Sequence, residues 1–244
     1  MAKWRIEGQQ QALDAAVAVL EADDVALVEA LADLIRRTAG RGGKILIPAF
    51  AFGRAQALLV LLYQLRRARK IPELPVYVDS PFACDPSELY AAHPRDHRLP
   101  RELCEAAFGG VGYLRTSEES RNCSESSEPA IVLAAAGLAT GGRVLHHLKR
   151  VGPDRNSAIV LAGIQAAGTR GATLAAGADS LKIHGRNVSI NAEVAHFDML
   201  TAHADQHELL GWLEHDDAPR HTFLVHRSEE RRVGQECLRL CRSR

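Results

Sequence analysis

Cysteine is scarce in this 244-residue chain and offers no metal pattern. Cys84, Cys104, Cys123, Cys237 and Cys241 are odd in number and form no Cys-x-x-Cys pair. That spacing gives no zinc ribbon and fits a reducing, cytoplasmic compartment. Net charge is missing too: 30 basic residues balance 30 acidic ones, so any nucleic-acid surface has to be local. No apolar run approaches the roughly 18 residues a membrane span needs, and no signal-peptide pattern is present, so the chain reads as soluble, without a membrane partner. No internal repeat is visible. Neither a Gly-x-Gly-x-x-Gly nor a Gly-Lys-[Ser/Thr] phosphate loop occurs, since Gly137-x-x-x-Gly141-Gly142-Arg143 lacks the required ending. A Walker-type NTPase is disfavoured.

What is present is enough apolar residue, 46%, for a real core. Helical spacing of Val25, Val28, Leu31, Leu34 and Ile35 predicts a helix over 25–39, stopped by Gly40-Arg41-Gly42-Gly43. Short, almost wholly apolar runs at 44–48, 76–78, 130–135 and 158–162 read as strands buried on both faces. Helices are expected over 53–70, 86–92, 101–108, 143–150 and 169–176, and a hairpin-like pair over 181–184 and 188–194. The polar stretch 116–129 reads as an exposed loop whose Ser and Glu could cap short turns. Alternation of strand and helix predicts a layered α/β domain with a mainly parallel sheet.

In such sheets ligands collect beyond the carboxyl ends of the strands. Four of those ends carry suggestive residues: Phe50-Ala51-Phe52-Gly53-Arg54, Asp79-Ser80-Pro81, Thr140-Gly141-Gly142-Arg143, and Gln165 through Thr169-Arg170. Small residues let backbone amides approach an anion and arginine grips phosphate bidentately, so a phosphate backbone is the natural partner. The plainer reading is that connections in α/β folds contain glycine anyway. Phe50 and Phe52 could stack on bases, although core packing of at least one is the stronger expectation; Asp79 is expected to cap the turn after its strand. His184 and His196 read as strand residues facing solvent or a neighbour.

Further on, Thr201-Ala202-His203-Ala204-Asp205 reads as strand end, loop and helix start, with Asp205 capping a helix over 206–215. His226 ends the next strand, 222–225. Two imidazoles so placed could converge on one metal or one phosphate; the alternative is two surface histidines among eleven. A His203–His207 helical metal pair is disfavoured, because the cap leaves His203 outside the helix.

Six collinear segments, Ile45–Gln56, Val76–Ala83, Ala134–Leu145, Gly163–Gly171, Thr201–Asp205 and Leu224–His226, together resemble the metallo-β-lactamase-fold hydrolases with an inserted β-CASP domain. The resemblance covers about residues 25–226. It implies a β-CASP domain over 25–200 and a short C-terminal piece of the metallo-β-lactamase αββα fold over 201–226. Residues 1–24 are left as an unmatched helical segment, and 227–244 as an Arg-rich tail that reads as non-native.

By the same resemblance the parent activity is zinc-dependent cleavage of RNA phosphodiester bonds, with two zinc ions bridged by the attacking hydroxide. His203 would be the catalytic histidine acting at the leaving oxygen and His226 a zinc ligand. The β-CASP loops, through Arg54, Ser80, Thr140, Gly141, Gly142, Arg143, Gln165, Thr169 and Arg170, would guide single-stranded RNA. A homodimer is compatible with the family.

The departures are specific. His-x-His-x-Asp-His, the family's main metal motif, occurs nowhere in the sequence, and no Glu-Ser-Thr-Tyr-Gly-like segment precedes the β-CASP region. A catalytic zinc needs at least three protein ligands, so the expectation is a fragment that is inactive as an isolated chain. Two alternatives stand beside it: a non-catalytic RNA-binding or scaffold member of the same family, and a nucleotide-binding α/β module.

Overall fold

In a computed structural model, residues 22–80, 84–93, 99–197 and 210–211 are described. The chain divides into two compact units, Met1–Ala202 and His203–Arg244; of the second only Leu210 and Gly211 are described, both helical.

The first unit is built from runs too apolar to leave either face in water. β1 (Ile45–Pro48), β2 (Val76–Asp79), β4 (Ile131–Ala134) and β5 (Ala158–Ala162) are four or five residues long and buried almost throughout. With β3 (Gly112–Tyr113) and β8 (Glu193–Phe197) they form one sheet in the order β3-β2-β4-β1-β5-β8. Every pairing in it is parallel, so the mainly parallel α/β layering read from the sequence is what forms.

Successive strand residues point to opposite faces, and two cores result. Ile45, Ile47, Ile131, Leu133 and Val160 pack under α1 (Ala22–Gly40), α2 (Arg54–Arg67) and α4 (Arg101–Gly109). Leu46, Val132, Ala134, Ile159 and Leu161 pack under α6 (Val144–Val151) and α7 (Arg170–Ala175). Fully burying such a side chain contributes about 1.5–3 kcal/mol, so both layers are held by the same short strands.

Between β2 and β3 lie α3 (Cys84–Ala92) and α4. The chain leaves β1 and β2 for the first face and returns from β4 and β5 over the second. That alternation opens a crevice at the carboxyl ends of β4, β1 and β5, where neighbouring connections diverge.

Three local expectations need correction. Residues 116–129 are not a loop throughout, because α5 (Ser117–Glu125) forms there behind a capping box. Thr116 Oγ1 accepts from the Glu119 amide at 3.1 Å while Glu119 accepts from the Thr116 amide at 2.9 Å. This reciprocal cap outweighs the low intrinsic propensity of a Ser-rich run. Lys44 then reaches across the other end of α5, its Nζ donating to the carbonyls of Cys123 and Ser124; burial pushes that ammonium below its usual range.

The stretch 188–194 is likewise not one strand. β6 (Ser180–Ile183) and β7 (Arg186–Ser189) make the hairpin, and β8 begins afresh at Glu193 beside β5. His184 and Gly185, both at positive φ (47° and 79°), form its two-residue turn, so His184 sits in the turn rather than in a strand. Finally, β3 is two residues long, too short to leave a periodicity. The expected helix over 206–215 and strand over 222–225 lie outside the described residues, as do 1–21, apart from Leu210 and Gly211.

Candidate functional site

The loops leaving β1, β4 and β5 touch one another on the carboxyl edge. The Phe50 ring lies against Gly137, so close that a Cβ there would meet Phe50 Cδ2 at 2.9 Å. The Arg54 guanidinium rests on Gly163, where a Cβ would come within 2.2 Å of its Nη1. Gly163 is at φ 80°, a conformation and a closeness that only glycine supplies. The Gly171 amide donates to the Leu138 carbonyl at 3.0 Å, locking the β5 loop onto the β4 loop.

Beside them, at the end of β2, Asp79 is fully buried and holds a four-member network. Arg143 Nη1 donates to its Oδ1 at 2.7 Å; Ser120 Oγ and His147 Nε2 donate to its Oδ2 at 2.5 and 2.7 Å. Burial alone would push this carboxyl up. The hydrogen bonds from His147, Ser120 and Arg143 outweigh burial and hold it below the usual carboxylate range. Arg143 also donates to the carbonyls of Leu114 (2.8 Å) and Arg115 (2.9 Å). Its guanidinium therefore ties β2, the β3–α5 connection and the start of α6 together. Asp79 works as the hub of this network; the turn it was expected to cap, 81–83, lies outside the described residues.

Arg170 is placed differently. Its Nε donates to the Lys182 carbonyl at 2.9 Å and its Nη1 to the Thr140 carbonyl at 3.0 Å, so carbonyls orient it and no carboxylate neutralises it among the described residues. Thr169 caps α7, accepting from the Ala172 amide at 3.1 Å. Gln165 Nε2 donates to the Gly163 carbonyl at 3.2 Å, while its Oε1 is buried over Gly171 without a partner.

Thr140 and Gly142 are exposed, and Gly142 is at φ 79° where a Cβ would strike the Ala135 carbonyl. The first-turn amides of α6 are already taken, Val144 by Ala135, Leu145 by Gly142 and His146 by Arg143. Any anion contact on this loop thus falls to Thr140, Gly141 and Gly142 rather than to the helix end. Ser80 is buried (2% exposed) directly after Asp79.

Both loop phenylalanines are exposed, Phe50 by 49% and Phe52 by 65%, so neither packs in the core. Phe52 makes a tilted contact with Tyr90, centroids 5.9 Å apart. His196 donates from Nε2 to the Gly163 carbonyl at 2.9 Å. His203 and His226 lie outside the described residues. Among the described residues no group of three or more His, Cys, Asp and Glu could hold a metal ion, and no helix is long and apolar enough to cross a membrane.

The nine loop residues picked from the sequence do gather on one edge. The reading missed Ser120 and His147, whose signals were a Ser in an apparent loop and the second His of His146-His147.

Residues 55–174 match the Beta-Casp domain and residues 187–231 the Zn-dependent metallo-hydrolase RNA specificity domain. The chain is 36% identical over 208 residues to ribonuclease TTHA0252 of Thermus thermophilus, covering 82% of this chain and 46% of that protein. It is 32% identical over 198 residues to the transcription termination factor FttA of Pyrococcus horikoshii, covering 75% and 30%. An RNase J-like protein of Methanocaldococcus jannaschii is 28% identical over 200 residues, covering 80% and 46%. The chain thus spans less than half the length of these relatives.

Proposed function

This chain belongs to the β-CASP family of metallo-β-lactamase-fold hydrolases, and from that premise we propose that it acts on RNA, its carboxyl edge guiding a single strand. The observation that carries this reading is the meeting of exposed Phe50 and Phe52, the exposed Thr140–Gly142 loop and the carbonyl-held Arg170 on one face. Aromatic faces stack on bases at about 1–3 kcal/mol each, without regard to sequence. Small residues admit the sugar-phosphate chain, and a pre-oriented guanidinium meets the phosphate at little entropic cost.

Zinc, in an intact site of this family, supplies the activated hydroxide that attacks the phosphodiester. In this reading His226 would be a zinc ligand and His203 would act at the leaving oxygen. Two histidines fall short of the three protein ligands such a zinc needs, and the described residues hold no further cluster. On this reading the chain alone binds RNA without cutting it.

The test is direct. The purified chain should hold well under one zinc per molecule by elemental analysis, retain a labelled single-stranded RNA in a binding assay, and leave it intact on a denaturing gel. Robust metal-dependent cleavage would overturn the inactivity, and failure to bind RNA would overturn the guiding role.

A further inference from the structure

Lys44, just before β1, is the only lysine or arginine buried among the described residues, 8% exposed. Its backbone amide donates to Ser157 Oγ at 2.9 Å. Its side chain crosses to α5, where Nζ donates to the carbonyls of Cys123 at 2.5 Å and Ser124 at 3.4 Å. Those carbonyls belong to the last turn of α5, which intrahelical bonding leaves without donors. The plain role of Lys44 is therefore to cap that helix end.

Capping does not complete the account of its charge. Carbonyls offer only partial charge, and no carboxylate forms an ion pair with Lys44 among the described residues. Burial, the largest influence, pushes the ammonium down, and Glu128 opposes this only from a distance. Asp79 shows what compensation looks like, a buried carboxylate meeting the Arg143 guanidinium at 2.7 Å. A buried ion without such a partner costs free energy. An ammonium also has three N–H donors, and the two carbonyls take two of them.

Lys44 and Cys123 line a cavity of about 300 Å³, at the lower end of the range that ligand pockets occupy. Pro75, before β2, and Pro129, before β4, place it at the amino ends of the strands, away from the loop edge. Tyr77 and Leu114 give it an apolar wall. Gly112 backs the Tyr77 ring so closely that a Cβ there would meet ring Cδ1 at 2.6 Å. Two carboxylates, Glu119 and Glu128, line it as well. The amides of Thr116 and Arg115 hold Glu119 below its usual range, so it stays charged. One buried cation beside two acids suits a single negative charge on an apolar body and repels a dianion such as phosphate.

We propose that this cavity binds a small monocarboxylate with an aromatic or aliphatic body. Its carboxylate takes the remaining Lys44 N–H, and its body lies along Tyr77 and Leu114. The site stands apart from the RNA reading, because it lies at the opposite ends of the strands from the loop edge. Occupation steadies the end of α5, the helix that brings Ser120 to Asp79.

Titration of the full chain with 3-phenylpropionate, followed by nitrogen–proton correlation spectra, tests it, with neutral 3-phenylpropionamide and inorganic phosphate alongside. The acid should bind with a dissociation constant of about a millimolar, shifting the amides of Lys44, Tyr77 and Cys123. The amide should bind about tenfold more weakly, the worth of one charge-assisted hydrogen bond, and phosphate should leave those signals unmoved. This acid–amide pair reads the Lys44 charge without a substitution at Lys44, which would also uncap α5. N122W, which puts a bulky ring on an exposed lining residue of α5, should abolish the shifts. Equal affinity for acid and amide, or phosphate acting as strongly as the acid, would overturn the proposal. So would shifts confined to other residues, a titration unchanged in N122W, or no shift at all.

Discussion

Arg143 and Arg170 end look-alike loops, Gly141-Gly142-Arg143 and Gly168-Thr169-Arg170, at the carboxyl ends of β4 and β5. On the β2–β4 side the guanidinium is spent: a buried carboxylate and two carbonyls hold it, and its side chain is 17% exposed. On the β5 side carbonyls orient the guanidinium, and no acid among the described residues cancels its charge. One arginine holds the frame of the site, while in the proposed reading the other is left to meet RNA. A Gly-Arg loop is therefore ambiguous until the carboxylate opposite it is found.

The largest effect expected from this contrast is on stability. Arg143→Gln leaves Asp79 buried with Ser120 and His147 as its remaining donors. It should cost about 3 kcal/mol of unfolding free energy by chemical denaturation, as breaking a buried ion pair does. A cost below about 1 kcal/mol would make the two arginines equivalent.

The acid limb of the stability curve should follow. The folded-state pKa of Asp79 is lowered, so its contribution is fully present above the ordinary carboxylate value near 3.8 and is lost as pH falls through the folded value below it. Glu193, whose carboxyl is pushed up by burial but held below its usual range by Arg41 and Arg37, has the same sign. Asp79→Asn should start less stable at neutral pH and lose less between about pH 4 and pH 2 than the wild type. Parallel curves would contradict the network. The smallest change in stability belongs to Arg170→Gln, about 1 kcal/mol or less, because carbonyls near the surface can take water instead; its loss should appear in RNA affinity.

The sheet was legible because its strands are too apolar to do anything but lie between two helical layers. Ile45–Pro48 and Ile131–Ala134 leave no polar side for solvent. The loop edge was legible for the same reason, since strand ends fix where a parallel sheet collects its loops. Long-range pairings were not: nothing in Thr116–Glu125 says that Ser120 will reach Asp79 forty-one positions earlier, nor that His147 rather than His146 turns inward. β8 was hidden because Glu193–Phe197 alternates weakly and follows a hairpin, and only the open edge of β5 tells it where to pair.

Photo-crosslinking of a 4-thiouridine-substituted single-stranded RNA to the full chain, mapped by mass spectrometry, tests the guiding edge most directly. Crosslinks are predicted at Phe50–Arg54, Gly137–Arg143 and Gly163–Arg170, the three loops at the carboxyl ends of β1, β4 and β5. Crosslinks confined to the amino ends of the same strands, around Gly42–Lys44, Glu128–Pro129 and Asp154–Asn156, would contradict it.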